Sequence, residues 1–237
     1  MADPSAEGPK GLELGIDTAS RDGSVALLRG ERVLAERRWT VETTFSRELL
    51  AAIDAVLREA EAARDAISGI AVDVGPGGYS GLRTGVATAQ GLALALGVPL
   101  AGVARLEADA FPHLVPGQPV VAVHDAGRGG VAWAAYVPCE APDSGPPEPL
   151  SQPRIDSVED CARLAPSRAL WCGELTEALR AAREAAGRHG DADVEAALNV
   201  RSAEDLVRLA RLHRAYGDPA TADVVYLRPP SITLPRP

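Results

Sequence analysis

With 237 residues and a net charge of −9, the chain is long enough to bury roughly 70–75% of its extended surface without disulfides or metals. It is too acidic to grip a phosphate backbone alone, which takes clustered Lys and Arg. Its three cysteines, Cys139, Cys161 and Cys172, form no C-x-x-C and leave an odd count, the pattern of buried thiols in a reducing compartment.

Residues 1–10 are polar and lack the apolar centre of a signal peptide, so they read as a disordered lead-in to a cytoplasmic protein. Residues 12–17, 24–28 and 32–38 read as three strands, with Gly30-Glu31 turning the second into the third. Residues 45–63 carry Phe45, Leu49, Ile53, Val56, Leu57 and Ala60 at the spacing of one helix face. A strand at residues 70–74 then runs into Gly75-Pro76-Gly77-Gly78, a tight turn in which Gly allows positive φ and Pro presets φ. Ser80 stands where an N-cap belongs, and a helix follows over residues 80–96. That helix places Gly81, Gly85, Ala89 and Ala93 on one face and Ala87, Gly91 and Ala95 on an adjoining one. An interior glycine costs about 1 kcal/mol against Ala, so close approach of another helix is expected to offset it. Residues 84–104 carry no charge and are long enough to span a bilayer. Their glycines and Pro99 instead divide them into the helix, a stop at Gly97 and a strand at 99–103, with no membrane segment.

From residue 105 the pattern partly repeats. Residues 120–125 form a strand ending in His124-Asp125, a glycine-rich turn spans 126–130, and residues 131–137 form the return strand. Residues 141–153 are proline-rich and read as a loop. Helices are expected at 157–164, 176–188 and 202–216, with Ser157/Asp160 and Ser202/Asp205 at capping-box spacing. A strand at 169–173 lies between the first two, and residues 224–228 read as a closing strand. The organisation is thus a lead-in (1–10), an N-terminal lobe (11–104) and a C-terminal lobe (105–237).

Two mixed lobes, each opening on a hairpin whose first strand ends in Asp (Asp17, Asp125), imply an α/β fold of the duplicated, two-lobe actin-like ATPase (ASKHA, ribonuclease-H-like) kind. Working members of that superfamily grip ATP between two such hairpins. Here Asp17-Thr18-Ala19-Ser20 has no adjacent glycine, so Asp17 and Thr18 read either as a residual nucleotide site or as a strand end and its turn. Asp125 heads a turn glycine-rich enough to admit a phosphate or to be simply flexible. The turn at 75–78 matches neither G-x-x-x-x-G-K-[ST] nor G-x-G-x-x-G and stands between a structural turn and an anion cradle. No two of the four histidines have H-x-x-x-H spacing, and no G-x-S-x-G nucleophile elbow is present, so neither a metalloenzyme nor a peptidase is supported.

Three stretches carry a resemblance: Ile16-Asp17-Thr18-Ala19 with Ser24-Val25-Ala26-Leu27; residues 75–93 with their G-P-G-x-Y-S-G-L-R-x-G run; and Val225-Tyr226-Leu227-Arg228. Together they resemble the TsaB (YeaZ) family over most of the chain. The resemblance implies a non-catalytic subunit that binds and activates a catalytic, metal-binding paralogue (TsaD-type). A small ATPase (TsaE-type) completes the assembly, which places threonylcarbamoyl on the adenosine beside the tRNA anticodon. It implies no required cofactor; the residues themselves leave room for a vestigial ATP/ADP site at Asp17, Thr18 and Asp125, the acidic charge leaves only indirect tRNA contact, and an exposed apolar, small-residue face allows a homodimer when the chain is alone. It also implies a partner-binding helix pair carrying Phe45, Leu49, Ile53, Ser80, Gly81, Leu82, Gly85 and Ala89. The chain departs from the family pattern at Phe45, where a histidine is usual, and at Gly127 and Gly130, which stand for an Arg and a Glu. A small ATP-dependent phosphotransferase using Asp17 and Asp125 is the alternative reading.

Overall fold

The computed structural model describes residues 9, 11–42, 44–139 and 145–228. The lead-in at residues 1–10, Pro9 apart, and the first part of the proline-rich stretch lie outside the described residues. In chain order, β1 (Leu12–Asp17), β2 (Asp22–Arg29) and β3 (Arg32–Thr40) precede α1 (Phe45–Glu59), β4 (Ile67–Gly75), α2 (Tyr79–Leu96) and β5 (Leu100–Ala104). Then come α3 (Arg105–Ala110), β6 (Val120–Asp125), β7 (Gly130–Val137), β8 (Glu148–Pro149), β9 (Arg154–Ser157) and α4 (Val158–Leu164). The chain continues through β10 (Leu170–Gly173), α5 (Glu177–Ala185), β11 (Ala192–Asp193) and α6 (Ala203–Leu212).

Each sheet grows outward from one antiparallel hairpin. In the first, β1 pairs antiparallel with β2 and parallel with β4, giving the order β3-β2-β1-β4-β5. In the second, β6 pairs antiparallel with β7 and parallel with β10, giving β11-β10-β6-β7-β8 with β9 also on β7. The same hairpin-plus-crossover plan appears twice, which is the duplicated two-lobe α/β fold. β1 is buried along its whole length because both of its faces are covered, and its Glu13 is paired with Arg211. On one face Leu14, Ile16, Val25 and Leu27 meet Leu49, Ile53, Val56, Val86 and Ala89 of α1 and α2. On the other, Ala26, Leu28 and Ala71 meet Leu206, Val207 and Ala210 of α6. Among the described residues no helix is long and apolar enough to cross a membrane.

The structure departs from the sequence reading in several places. The division at residues 104 and 105 follows the chain and not the packing, because α6, late in the sequence, returns to cover the first sheet. Helix α3 breaks the amphipathic rule: Arg105, Glu107 and Asp109 are all buried, and tertiary partners replace the missing apolar face. Residues 224–228 are not a strand. β4 already lies between β1 and β5, so no edge is open, and Val225 only donates its N–H to the Val74 carbonyl at 2.8 Å. The proline-rich stretch contains the short strand β8 on β7. Helices α1, α5 and α6 stop early because Glu61 (φ 49°), Gly187 (φ 70°) and Arg214 (φ 51°) take the left-handed conformation just past each end. Ser80 is not an N-cap: the cap is Gly78, without a side-chain bond. The Gly78 N–H is fixed to the Ala19 carbonyl at 2.8 Å, which starts the helix earlier. Ser157, Thr176 and Ser202 do cap their helices.

The two small-residue faces of α2 have opposite fates. Gly81, Gly85, Ala89 and Ala93 are buried; a Cβ on Gly81 would strike the Thr18 carbonyl, and one on Gly85 the Thr18 hydroxyl. Ala87, Gly91 and Ala95 are exposed, and a Cβ on Gly91 would meet nothing within 4 Å. The neighbour that meets the two glycines most closely is therefore the β1–β2 turn of the same lobe, with the Phe45 ring of α1 also against Gly81. Gly85→Ala is expected to destabilise the protein by about 1–3 kcal/mol through overpacking, and Gly91→Ala to stabilise it by up to about 1 kcal/mol. Urea unfolding midpoints measure both, and equal effects would remove the distinction between the faces.

Candidate functional site

The parallel register Ile16↔Val72 sets the next residues one strand apart, so Asp17 at the end of β1 and Asp73, two residues before the end of β4, lie on adjacent strands. Both are buried. The Asp17 Oδ1 accepts from the Ala19 N–H at 2.9 Å, and its Oδ2 accepts from Arg201 Nε at 2.7 Å. Arg201 lies just before α6 and enters the β1–β2 turn, where it also donates to the Ser20 hydroxyl (2.8 Å) and the Asp22 carbonyl (3.0 Å). The Asp73 Oδ1 accepts from the Gly75 N–H at 2.7 Å, while its Oδ2 has no partner.

Helix α3 carries a second arginine across the lobes. Arg105 reaches the Glu174 Oε1 at 2.6 Å and the Pro76 carbonyl at 3.5 Å, and stands 3.4 Å from Asp109. Asp109 in turn lies 3.8 Å from Arg201. The other oxygen of Glu174 lies 2.9 Å from His124 Nδ1 and accepts from the Asp125 N–H at 3.1 Å. Arg105 also comes within 2.8 Å of that Nδ1. One nitrogen cannot serve both: Nδ1 either donates to the Glu174 carboxylate or accepts from Arg105, according to the tautomer.

The network holds four carboxylates, Asp17, Asp73, Asp109 and Glu174, against two guanidiniums. Burial pushes the Asp73 carboxyl well above its ordinary range, and the charge of Asp17 pushes it further. Burial likewise raises Asp109. For Glu174, burial acts upward, but the His124 hydrogen bond and the Arg105 charge hold it well below the usual carboxylate range. Burial opposes the charge on Arg201, yet Asp17 and Asp109 keep it protonated. Asp73 is thus the member that keeps its proton most readily.

The sequence-derived candidates fall out as follows. Thr18 is fully buried and donates its hydroxyl to the Gly81 carbonyl at 2.8 Å, a tie between turn and helix. Asp17 sits behind Arg201, which borders a cleft of about 480 Å³ together with Ser20, Asp22, Trp39, Asp109 and Glu174. Asp125 lines a different cavity, of about 370 Å³, with Gly77, Gly127, Tyr226 and Arg228. The two aspartates therefore do not converge on one ligand. Nor do Asp17 and Thr18 fit a nucleotide's metal and phosphates: a guanidinium already neutralises Asp17, and the Thr18 hydroxyl is spent. Among the described residues no group of three or more His, Cys, Asp or Glu is placed to hold a metal.

Of the helix-pair candidates, Leu49, Ile53, Gly81, Leu82, Gly85 and Ala89 are buried in the chain's own lobe. Phe45 is half-buried, its ring against Gly81, and Ser80 alone of the set is exposed. As a surface the pair instead offers Leu50 (55% exposed), Leu94 (65% exposed), Ala87, Gly91 and Ala95. Sequence reasoning missed Arg105, Arg201 and Asp109 entirely. The one signal for the network was Asp73, a charge inside the apolar run Ile70-Ala71-Val72-Asp73-Val74.

With this geometry in hand, residues 40–213 match the model of the family described as "TsaD: tRNA N6-adenosine threonylcarbamoyltransferase". The chain belongs to that family, on its TsaB/YeaZ branch. It is 33% identical over 123 residues to the tRNA threonylcarbamoyladenosine biosynthesis protein TsaB of Bacillus subtilis, covering 52% of this chain and 54% of that protein. The chain spans about half the length of the curated relatives it matches. It superposes on YeaZ from Pseudomonas aeruginosa with a TM-score of 0.73 at 25% identity, covering 92% of this chain and 100% of that one. A Pseudomonas aeruginosa structure described as similar to peptidase YeaZ gives 0.76 at 26% identity, with the same coverages. The word peptidase belongs to that description; no nucleophile elbow accompanies it in this sequence.

Two measurements test the network. Arg201→Ala leaves Asp17 buried without its counter-ion and is expected to cost about 3 kcal/mol in urea unfolding; a loss near zero would mean the pair carries no weight. A carboxyl with a raised folded pKa binds its proton more tightly folded than unfolded. Its contribution therefore declines as pH rises from about 4, the unfolded value, through the folded one. Wild type should lose stability relative to Asp73→Asn as pH is raised over that interval, and a difference that stays flat would show that Asp73 does not titrate there.

Proposed function

We propose that the chain is a non-catalytic subunit in tRNA threonylcarbamoyladenosine formation, docking on and activating a catalytic paralogue of its own family. The family membership supports the pathway. The observation that carries the role is the exposed strip of α2, where Leu94 stands with Ala87, Gly91 and Ala95, together with the exposed Leu50 of α1. Gly91 has no neighbour inside the chain to offset its helix cost. Apolar side chains around a groove of small residues let a partner helix approach closely, and an apolar patch of this kind is a liability until it is covered. On this reading the docking face lies one strip around α2 from the Gly81–Gly85 face.

The phosphotransferase alternative needs Asp17 free to face a metal–nucleotide, and the Arg201 ion pair argues against it. On the favoured reading the chain works in the cytoplasm without a cofactor of its own. The paralogue supplies the catalytic metal, a small ATPase joins the pair, and the exposed face pairs two copies of this chain when the paralogue is absent.

Light scattering after size exclusion, on the chain alone and mixed with the paralogue of the same genome, tests the proposal. A heteromeric peak is expected with wild type and with Arg38→Ala. The peak should be lost, or weakened by roughly a hundredfold in Kd as for a central contact, with Leu94→Glu, whose melting temperature should not fall. No complex at micromolar concentration would overturn the scaffold reading.

A further inference from the structure

Two tyrosines stand in solvent where α2 begins. Tyr79 is 54% exposed and Tyr226 is 37% exposed, yet their rings stack with centroids 5.8 Å apart and planes 23° from parallel. Arg83, one helical turn on from Tyr79, lays its guanidinium 4.8 Å from the Tyr79 ring centroid and 6.0 Å from that of Tyr226. Its Nε donates to the Tyr226 hydroxyl at 3.0 Å, which leaves its terminal N–H groups facing outward. Exposed rings contribute little to a core, so this ordered stack is not explained by folding.

The stack borders the cavity of about 370 Å³ that Asp125, Gly127, Tyr226 and Arg228 line, a size within the range of small-ligand pockets, about 300–1,000 Å³. Arg228 leans on the glycine turn of the second lobe, its terminal nitrogen 2.9 Å from where a Gly130 Cβ would stand. A side chain at Gly130 would therefore displace that guanidinium. The cavity is lined by the Tyr226 ring, the Arg228 guanidinium and the exposed Asp125 carboxylate, and Arg83 and Tyr79 reach it through their contacts with Tyr226. These are the parts that take up an unstacked nucleotide: a π-face for the base, cations for phosphate, and an acceptor for an exocyclic amine or a ribose hydroxyl.

We infer that Tyr79, Arg83, Tyr226 and Arg228 form a platform for one unpaired nucleotide of an RNA strand. This rests on the tRNA-modification reading and goes beyond it, since it gives an acidic chain a direct RNA contact. Asp125, and Asp223 beside Arg83, keep the patch from drawing phosphate backbone indiscriminately. With two arginines engaged, the salt dependence is shallow, with a slope of log K on log salt near about −1.4.

The test uses fluorescence anisotropy of a labelled, single-stranded oligoribonucleotide titrated with the whole chain at low salt, without the paralogue. Wild type should bind saturably. Tyr79→Ala and Arg228→Glu should bind roughly tenfold more weakly or worse, with unchanged melting temperatures, and Leu94→Glu should bind as wild type does. Absence of saturable binding by wild type, or equal binding by Tyr79→Ala and Arg228→Glu, overturns the platform. In a separate light-scattering run, loss of the paralogue complex by Tyr79→Ala and Arg228→Glu, while wild type shows no oligonucleotide binding, also overturns it and makes the patch a protein contact. Because the paralogue is absent from the titration, failure of the platform and failure of the scaffold reading are seen separately.

Discussion

The ion pair between Arg201 and Asp17 is the constraint on which the rest of the structure depends. Taking two charges out of water costs several kcal/mol per ion unless further hydrogen bonds complete the shell. Here they do: Arg201 spends its remaining donors on the Ser20 hydroxyl and the Asp22 carbonyl, and Asp17 accepts from Ala19. The pair therefore fixes the β1–β2 turn. That turn supplies the Ala19 carbonyl that receives Gly78 and the Thr18 hydroxyl that reaches Gly81, so the start of α2 is set by a cation delivered from a segment more than half the chain away.

The demand of that turn explains the glycines of α2. Thr18 comes so close that no Cβ fits at Gly81 or Gly85, and the cost of glycine in a helix is offset there by packing and a buried hydrogen bond. Gly91 has no such return inside the chain. One helix thus carries two small-residue faces of different origin, one needed to fold and the other left bare. Spacing alone cannot tell them apart, since both repeat every four residues. Only the position of Thr18 does.

Legibility in the sequence followed the range of the interactions. The hairpins, α1, α2 and their glycine stop at Gly97 were readable because apolar period and turn chemistry are local. So were the caps at Ser157 and Ser202. Helix α3 was not, since its buried Arg105, Glu107 and Asp109 look like a solvated segment until Glu174 and His213 are brought to them across the fold. The Val225–Arg228 segment has strand composition but found β4 already paired on both sides. The candidate site suffered most: Asp17 was visible, whereas Arg201, which decides what Asp17 can do, lies 184 residues away with nothing in its neighbours to mark it.

A cleft that carries its own cation behaves differently from one that waits for a ligand. In a ligand-gated two-lobe protein the angle between lobes shifts with occupancy, because the bound group supplies contacts to both sides. Here Arg105 and Arg201 supply those contacts permanently, joining Asp17 and Pro76 of the first lobe to Glu174 of the second through Asp109. On the docking proposal, the lobe that carries α1 and α2 is tied in this structure by the chain's own side chains and not by a bound group. A surface ordered in advance pays less of the conformational cost of association. That is the property a docking subunit requires, and it comes at the expense of the freedom in the cleft that turnover of a nucleotide would need.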